Sequence, residues 1–302
     1  MKPMEAYSRT MKFVWLKLLL GAAAAVGGGL IAGLFLLIGS ALGESGTVIL
    51  GILGVVLGLA FWISVNYYFG YMIKAGHVAV AAQGLATGVL PENQLDWAKQ
   101  VVKSRFATAN VYYVLDRLVS GAVSQLQKGL NLVTDLLKNV PGMGIVSLFG
   151  SQFIETVLGK MDECCLGWCF LHPEQGSFHA SCDAVSMYFQ NTKALLKAGA
   201  KTSAIVMGLT VGVWLLFLIV IYGIFHAISG GFAIALLVGT ALILSAKAAF
   251  LDSYIMIRMM SAFLELVPST VLSYDLYAKL CGLSAKFRKL YDNAQQEINA
   301  GI

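Results

Sequence analysis

Apolar residues come in long unbroken blocks along this chain, with the charges confined between them. No charged side chain interrupts the 26 residues from Leu18 to Gly43, or the 29 from Ser45 to Ile73. A third charge-free block, Thr202 to Ala246, is 45 residues long. A helix needs about 20 apolar residues to cross roughly 30 Å of hydrocarbon. The first two blocks therefore predict one span each. The third has room for two, with a turn at Ile228-Ser229-Gly230-Gly231 beside His226. Four spans are expected, near 18–42, 47–72, 203–226 and 232–257. Lys2, Arg9, Lys12 and Lys17 precede the first block, as they would a signal peptide. Its apolar core is far longer than the usual stretch of about 7–15 residues, which favours an anchor.

Between the two pairs of blocks the pattern becomes amphipathic and helical. Asn93 suits the cap of a helix that carries Leu95, Ala98, Val102 and Phe106 on one face. Val111, Leu115, Leu118, Ala122, Leu126, Leu130, Val133 and Leu137 continue the spacing until Pro141-Gly142. Ile145 to Phe170 is more apolar still, with few charges, and Pro173 ends it. For 145–170 a helix lying in the membrane plane is expected; for 94–138 packed cytoplasmic helices fit at least as well.

Composition agrees with a membrane class. The chain is 58% hydrophobic and 12% charged, and its mean hydropathy is +0.76. Soluble domains run near 25% charged, so the composition excludes an ordinary soluble enzyme and a disordered chain. The net charge of +5 hides a strong asymmetry. Of the 21 Lys and Arg, four lie in the N-terminal tail, eleven in 74–201 and six from Lys247 onward. The turns at 43–46 and 227–231 hold none. The positive-inside rule then puts both termini and the middle region in the cytoplasm, in a plasma or bacterial inner membrane. The aromatic group Tyr67, Tyr68, Phe69 and Tyr71 suits an interfacial belt at the inner end of the second span. The fold class is all-α and polytopic. Its parts are a tail (1–17), a first transmembrane hairpin (18–73), a cytoplasmic amphipathic region (74–201), a second hairpin (202–258) and a cytoplasmic helical tail (259–302). The middle region mixes eleven basic with nine acidic residues, which disfavours a nucleic-acid partner.

Three groups of residues are candidates for chemistry. Cys164, Cys165, Cys169 and Cys182 fall within 19 residues that also hold His172 and His179. The nested spacing of Cys169, His172, His179 and Cys182 resembles a tetrahedral N2S2 zinc site. Buried structural cysteines or acylated juxtamembrane ones would give the same composition. The second group is polar residues at membrane depth: Asn66, Lys247 and Asp252. Such groups usually face a bundle interior or a watery path. Lys247 and Asp252 are five apart, which on an α-helix keeps them from pairing directly, so each is expected to meet another helix. Arg258 is expected to snorkel, and for Asp252 a path role and a structural one both fit. Third, Gly29-x3-Gly33 and Gly54-x3-Gly58 allow close helix approach, within a chain or between subunits. No phosphate loop, Gly-x-Ser-x-Gly or His-Glu-x2-His is present, so no enzyme activity is expected.

The stretches Ser147-Leu-Phe-Gly-Ser-Gln-Phe-Ile154 and Met161-Asp-Glu-Cys-Cys-Leu-Gly-Trp-Cys169 are similar to the glycine-rich helix and Cys-Cys-x-Trp-Cys stretch of choline transporter-like proteins. Cys182-Asp-Ala-Val-Ser-Met-Tyr-Phe189 follows in the same order, and Phe250 to Glu265 resembles that family's final span. Those proteins are longer and have more spans and a large extracellular loop. The resemblance implies a reduced transport scaffold, completed by oligomerisation, with no implication for the solute. Two functions are therefore expected: an oligomeric channel or transporter-like scaffold for a small solute or ion, or a membrane-organising protein that shapes the bilayer or recruits partners. The expected partners are the lipid bilayer and further copies of the chain.

Overall fold

The structure, a computed structural model, describes residues 1–105, 109–129, 160–227, 232–272 and 274–301. Among these residues every regular element is helical. Among the described residues three stretches are long and apolar enough to cross a membrane: Met11–Ala41, Gly43–Thr87 and Leu236–Ser269. The expected span at 203–226 lies inside a longer continuous helix, Ser177–Ala227, whose apolar piece is Val211–Gly223. The turn at 228–231 lies outside the described residues.

Contacts divide the chain into two units. One comprises residues 11–74 and 205–253. Here α2 (Met11–Ala41) and α3 (Gly43–Val65) are joined through Leu42 alone, a tighter connection than the four-residue turn expected at 43–46. Gly43 makes this possible by taking φ +85°, which costs glycine little. The helices then run antiparallel, with Gly28 against Gly58, Ala32 against Gly54, Leu36 against Gly51 and Gly39 against Gly46. On α3 the buried residues are Gly51, Gly54 and Gly58, a stripe at helical spacing. A Cβ on Gly28 would lie 2.6 Å from the Gly58 carbonyl oxygen, so backbone meets backbone. The expected pair Gly29 and Gly33 is displaced by one position, because Gly28 faces α3 while Gly29 faces Val238 on α9 (Phe232–Ala246). The opposite faces expose Leu30, Leu34, Leu37, Ile49, Ile52 and Val56. In the most apolar window of the second stretch only 11% is buried inside the protein, and such a surface suits hydrocarbon rather than water.

The other unit comprises residues 1–10, 75–204 and 254–302. It contains α1 (Pro3–Arg9), most of α4 (Tyr71–Thr87), α5 (Gln94–Arg105), α6 (Ala109–Gly129) and α7 (Met161–Leu171). The first half of α8 (Ser177–Ala227), most of α10 (Asp252–Leu266), α11 (Tyr274–Leu283) and α12 (Ala285–Asn299) complete it. The periodicity of the middle region is realised here: Ala98, Val102, Leu115, Leu118, Ala122 and Leu126 are buried. Leu95 is exposed, and residues 106, 130, 133 and 137 lie outside the described set. The in-plane helix expected at 145–170 falls mostly on residues 145–159, also outside it. Its remainder, α7, is enclosed by protein on nearly every side, with Met161, Cys164, Cys165, Leu166, Cys169 and Phe170 all buried. Tyr188 stacks on Phe263 at 6.3 Å, and Trp168 meets the same ring edge-on. His77 is fully buried; Thr10 donates to Ala6 O (2.8 Å), so its oxygen accepts from His77 Nε2 at 3.0 Å.

The glycine contacts yield the first test. Gly28→Val must push α2 and α3 apart, at an overpacking cost of roughly 1–3 kcal/mol. Gly282→Ala meets nothing within 4 Å and is expected to be neutral or mildly stabilising. Thermal unfolding of the detergent-solubilised protein should show a lowered midpoint for the first variant alone.

Candidate functional site

The polar residues expected at membrane depth, Asn66, Lys247 and Asp252, sit at two departures from α-helical geometry. Asn66–Gly70 and Lys247–Leu251 are π-helical segments, and Asn66 and Lys247 each open one of them. Both segments pack on α2. Single π turns widen a helix by one residue and occur often at functional sites. Asn66 uses its amide to donate to Trp62 O at 2.9 Å. In the other segment the Asp252 backbone N–H donates to Lys247 O, five residues back.

That register changes the expectation for Lys247 and Asp252. Their spacing keeps them apart on an α-helix, but the π turn stacks positions i and i+5. Lys247 Nζ lies 3.2 Å from Asp252 Oδ1, so the two form an ion pair with each other. Next to it, Lys17 Nζ on α2 donates to Ser253 Oγ at 2.9 Å. Lys17 drew attention in the sequence only as a flanking charge. The signal that could have found its partner was the return of polarity at Asp252-Ser253 after an apolar block. Around this cluster, Trp15 meets Phe250 edge-on at 5.6 Å, and a side chain on Gly21 would collide with Ser245. Ser245 itself donates back to Ala241 O at 2.7 Å. Lys17, Lys247, Asp252 and Ser253 thus form one part-buried polar cluster beside apolar and aromatic side chains, with the Lys247 side chain 42% and the Asp252 side chain 22% exposed.

The Cys/His group lies in the other unit. Cys169 Sγ donates to Ser177 O at 3.6 Å, while His172 stacks on Trp168 at 3.6 Å and donates from Nδ1 to Trp168 O. His179 Nε2 approaches Asp183 Oδ2 at 3.5 Å. Asp183 also accepts from the Tyr277 hydroxyl at 2.6 Å, and Glu297 accepts from His179 N at 2.9 Å. Asp183 lies near both His179 and His172, and Arg105, which acts on Cys169, donates to the His172 carbonyl. Among the described residues no group of three or more His, Cys, Asp or Glu is placed to hold a metal ion. Burial pushes the thiol pKa values of Cys164, Cys165, Cys169 and Cys182 up, which opposes the thiolate form that zinc needs. Burial also raises Asp183, against the opposing Tyr277 hydrogen bond and the nearby His179.

A cleft of about 620 Å³ opens in the same unit, lined by Gln83, Thr87, Trp168, His172, Ser261 and Glu265 among others. Ser261 donates to Glu265 across one helical turn at 3.3 Å. The four-residue spacing of Trp168 and His172 was the available sequence signal for their stack. Nothing local linked them to Gln83 or Glu265. The chain matches no protein-family model, no curated protein and no solved structure.

Two outcomes test this account. In a double-mutant cycle, Asp252→Asn and Lys247→Met should each destabilise the protein, and the double variant should recover most of the loss. A coupling above about 1 kcal/mol, the ceiling for water-exposed pairs, is expected. All five cysteines are free, and only Cys281 escapes full burial. One thiol per native chain should therefore react with iodoacetamide near pH 8, and all five after denaturation, as counted by mass spectrometry.

Proposed function

We propose that this chain is a multi-pass membrane protein and the subunit of an oligomeric channel or transporter-like scaffold for a small solute or ion. The observation that carries the reading is the cluster of Lys17, Lys247, Asp252 and Ser253 at a π turn between apolar helices. Charges in such surroundings are costly and are commonly kept for a path or relay. Asn66, opening the second π turn against α2, would contribute a neutral polar group to the same lining. Supporting the bilayer assignment are three long apolar helices with outward Leu, Ile and Val. The apolar part of α8 would serve as a fourth span. The one-sided placement of all 21 basic residues favours cytoplasmic termini. The similarity of Phe250–Glu265 to the final span of choline transporter-like proteins tilts the reading in the same direction.

Packing within the first hairpin supports an oligomeric form of this reading. Gly28 and Gly58 bring α2 and α3 into backbone contact, leaving no bore within that hairpin. A water-filled path would therefore be completed by neighbouring copies. A second reading, membrane organisation, is favoured by the separate packed unit of residues 1–10, 75–204 and 254–302.

Purified protein in liposomes should support flux of small ions or polar solutes. Asp252→Ala and Asn66→Ala should each lower it by about tenfold or more, the effect of losing roughly 1.4 kcal/mol at the path. Flux unchanged by both substitutions would overturn the path reading. Vesicles remodelled without any flux would favour the membrane-organising one.

A further inference from the structure

Between Asp275 and Asp292 the chain carries Lys279, Lys286, Arg288 and Lys289 and no acidic residue. All four are exposed: Lys279 on α11, and Lys286, Arg288 and Lys289 on α12, which turns Phe287, Leu290 and Ala294 inward. The corner between α11 and α12 is pinned to α6. Ser284 caps α12 by accepting from Phe287 N at 3.0 Å and donates to Gln125 Oε1 at 2.7 Å. The same Gln125 oxygen accepts from Lys286 N at 3.1 Å. One turn before Gln125, Gly121 lies beneath the aliphatic stem of Lys286. Three residues after it, Lys128 is exposed and adds a fifth cation from a distant part of the chain. Leu283 is exposed at the corner itself. Lys286, Arg288 and Lys289 lie within the first five residues of α12, whose first turn has no acidic side chain. The positive end of the helix dipole disfavours cations there, and an external anionic surface would relieve that repulsion.

We propose that this face docks on the anionic headgroups of a phospholipid leaflet. Lys128, Lys279, Lys286, Arg288 and Lys289 make the charge contacts, and Leu283 enters the interface. The inference rests on the membrane reading, since the apolar helices hold the chain at a bilayer. There, a modest attraction per cation suffices for docking. It is independent of whether the protein conducts a solute.

Cys281 is the one thiol among the five that is not fully buried, and it lies two residues from Leu283. A polarity-sensitive dye on Cys281 of the full chain reports docking through quenching by lipid-borne quenchers. Vesicles of phosphatidylcholine with phosphatidylserine should give strong quenching, weakened by high salt, and phosphatidylcholine alone should give little. Lys286→Gln, Arg288→Gln and Lys289→Gln combined should lower the docked-to-undocked ratio on the order of 100-fold. These side chains are exposed, so folding is preserved, and equal flotation of both proteins with the vesicles separates loss of docking from loss of membrane insertion. Quenching equal in the two lipids, or unchanged in the triple variant, overturns the proposal. A dye response to added RNA or acidic peptide alone overturns it in favour of those partners.

Discussion

The close approach of α2 and α3 is the contact on which the described apolar unit depends. Gly28 and Gly58 face each other with no side chain between them, so any Cβ at either position meets a carbonyl group. Between apolar helices in lipid the hydrophobic effect contributes little, and association comes from van der Waals contact over short distances. Glycine supplies that distance. Because Gly58 also touches Leu237 and Gly29 touches Val238, the same stretch of α2 seats α9 beside the hairpin. Displace α2 from α3, and the π segment Asn66–Gly70, which continues α3, loses the helix on which it packs.

The π turns explain how charge is tolerated in this setting. An α-helix would turn Lys247 and Asp252 to different faces, so that they could not meet across Ala248, Ala249, Phe250 and Leu251. The wider turn brings them to 3.2 Å. Part of their desolvation is then offset by their own attraction, and Lys17 and Ser253 supply a second polar contact beside it. The cluster is thus electrostatically satisfied while remaining at a place where a register change between π and α would break it. A polar path and a structural lock both use such a device. The flux measurement separates them.

Much of the fold was legible in the sequence for simple reasons. Charge-free blocks mark apolar helices because hydrocarbon excludes charge, and the stripe Ala98, Val102, Leu115, Leu118, Ala122 and Leu126 marked buried faces because helical period sorts residues by side. Asn66, Lys247 and Asp252 stood out as polar interruptions. Their geometry did not. Periodicity arguments assume about 3.6 residues per turn, and a π turn breaks that assumption at the residues of interest. Cysteine and histidine spacing likewise suggested proximity around one ion. Pairing His179 with Asp183 and stacking His172 on Trp168 depended instead on neighbours such as Tyr277 and Glu297, far away in the chain.

By itself, the sequence determined class and hydrophobic layout: an all-helical class with long apolar segments, and basic residues kept outside the charge-free blocks. These are properties of composition and local order, which side-chain solvation alone decides. Tertiary structure decided the rest: which glycine of a run meets a backbone, that Lys247 pairs with Asp252, that Lys17 reaches Ser253, and that Lys128 joins a basic face begun at Lys279. Each is a contact between surfaces whose register depends on the packing of whole helices. A shift of one residue, such as that from Gly29 to Gly28, is below what a hydrophobic period can resolve, yet it changes which backbone groups touch.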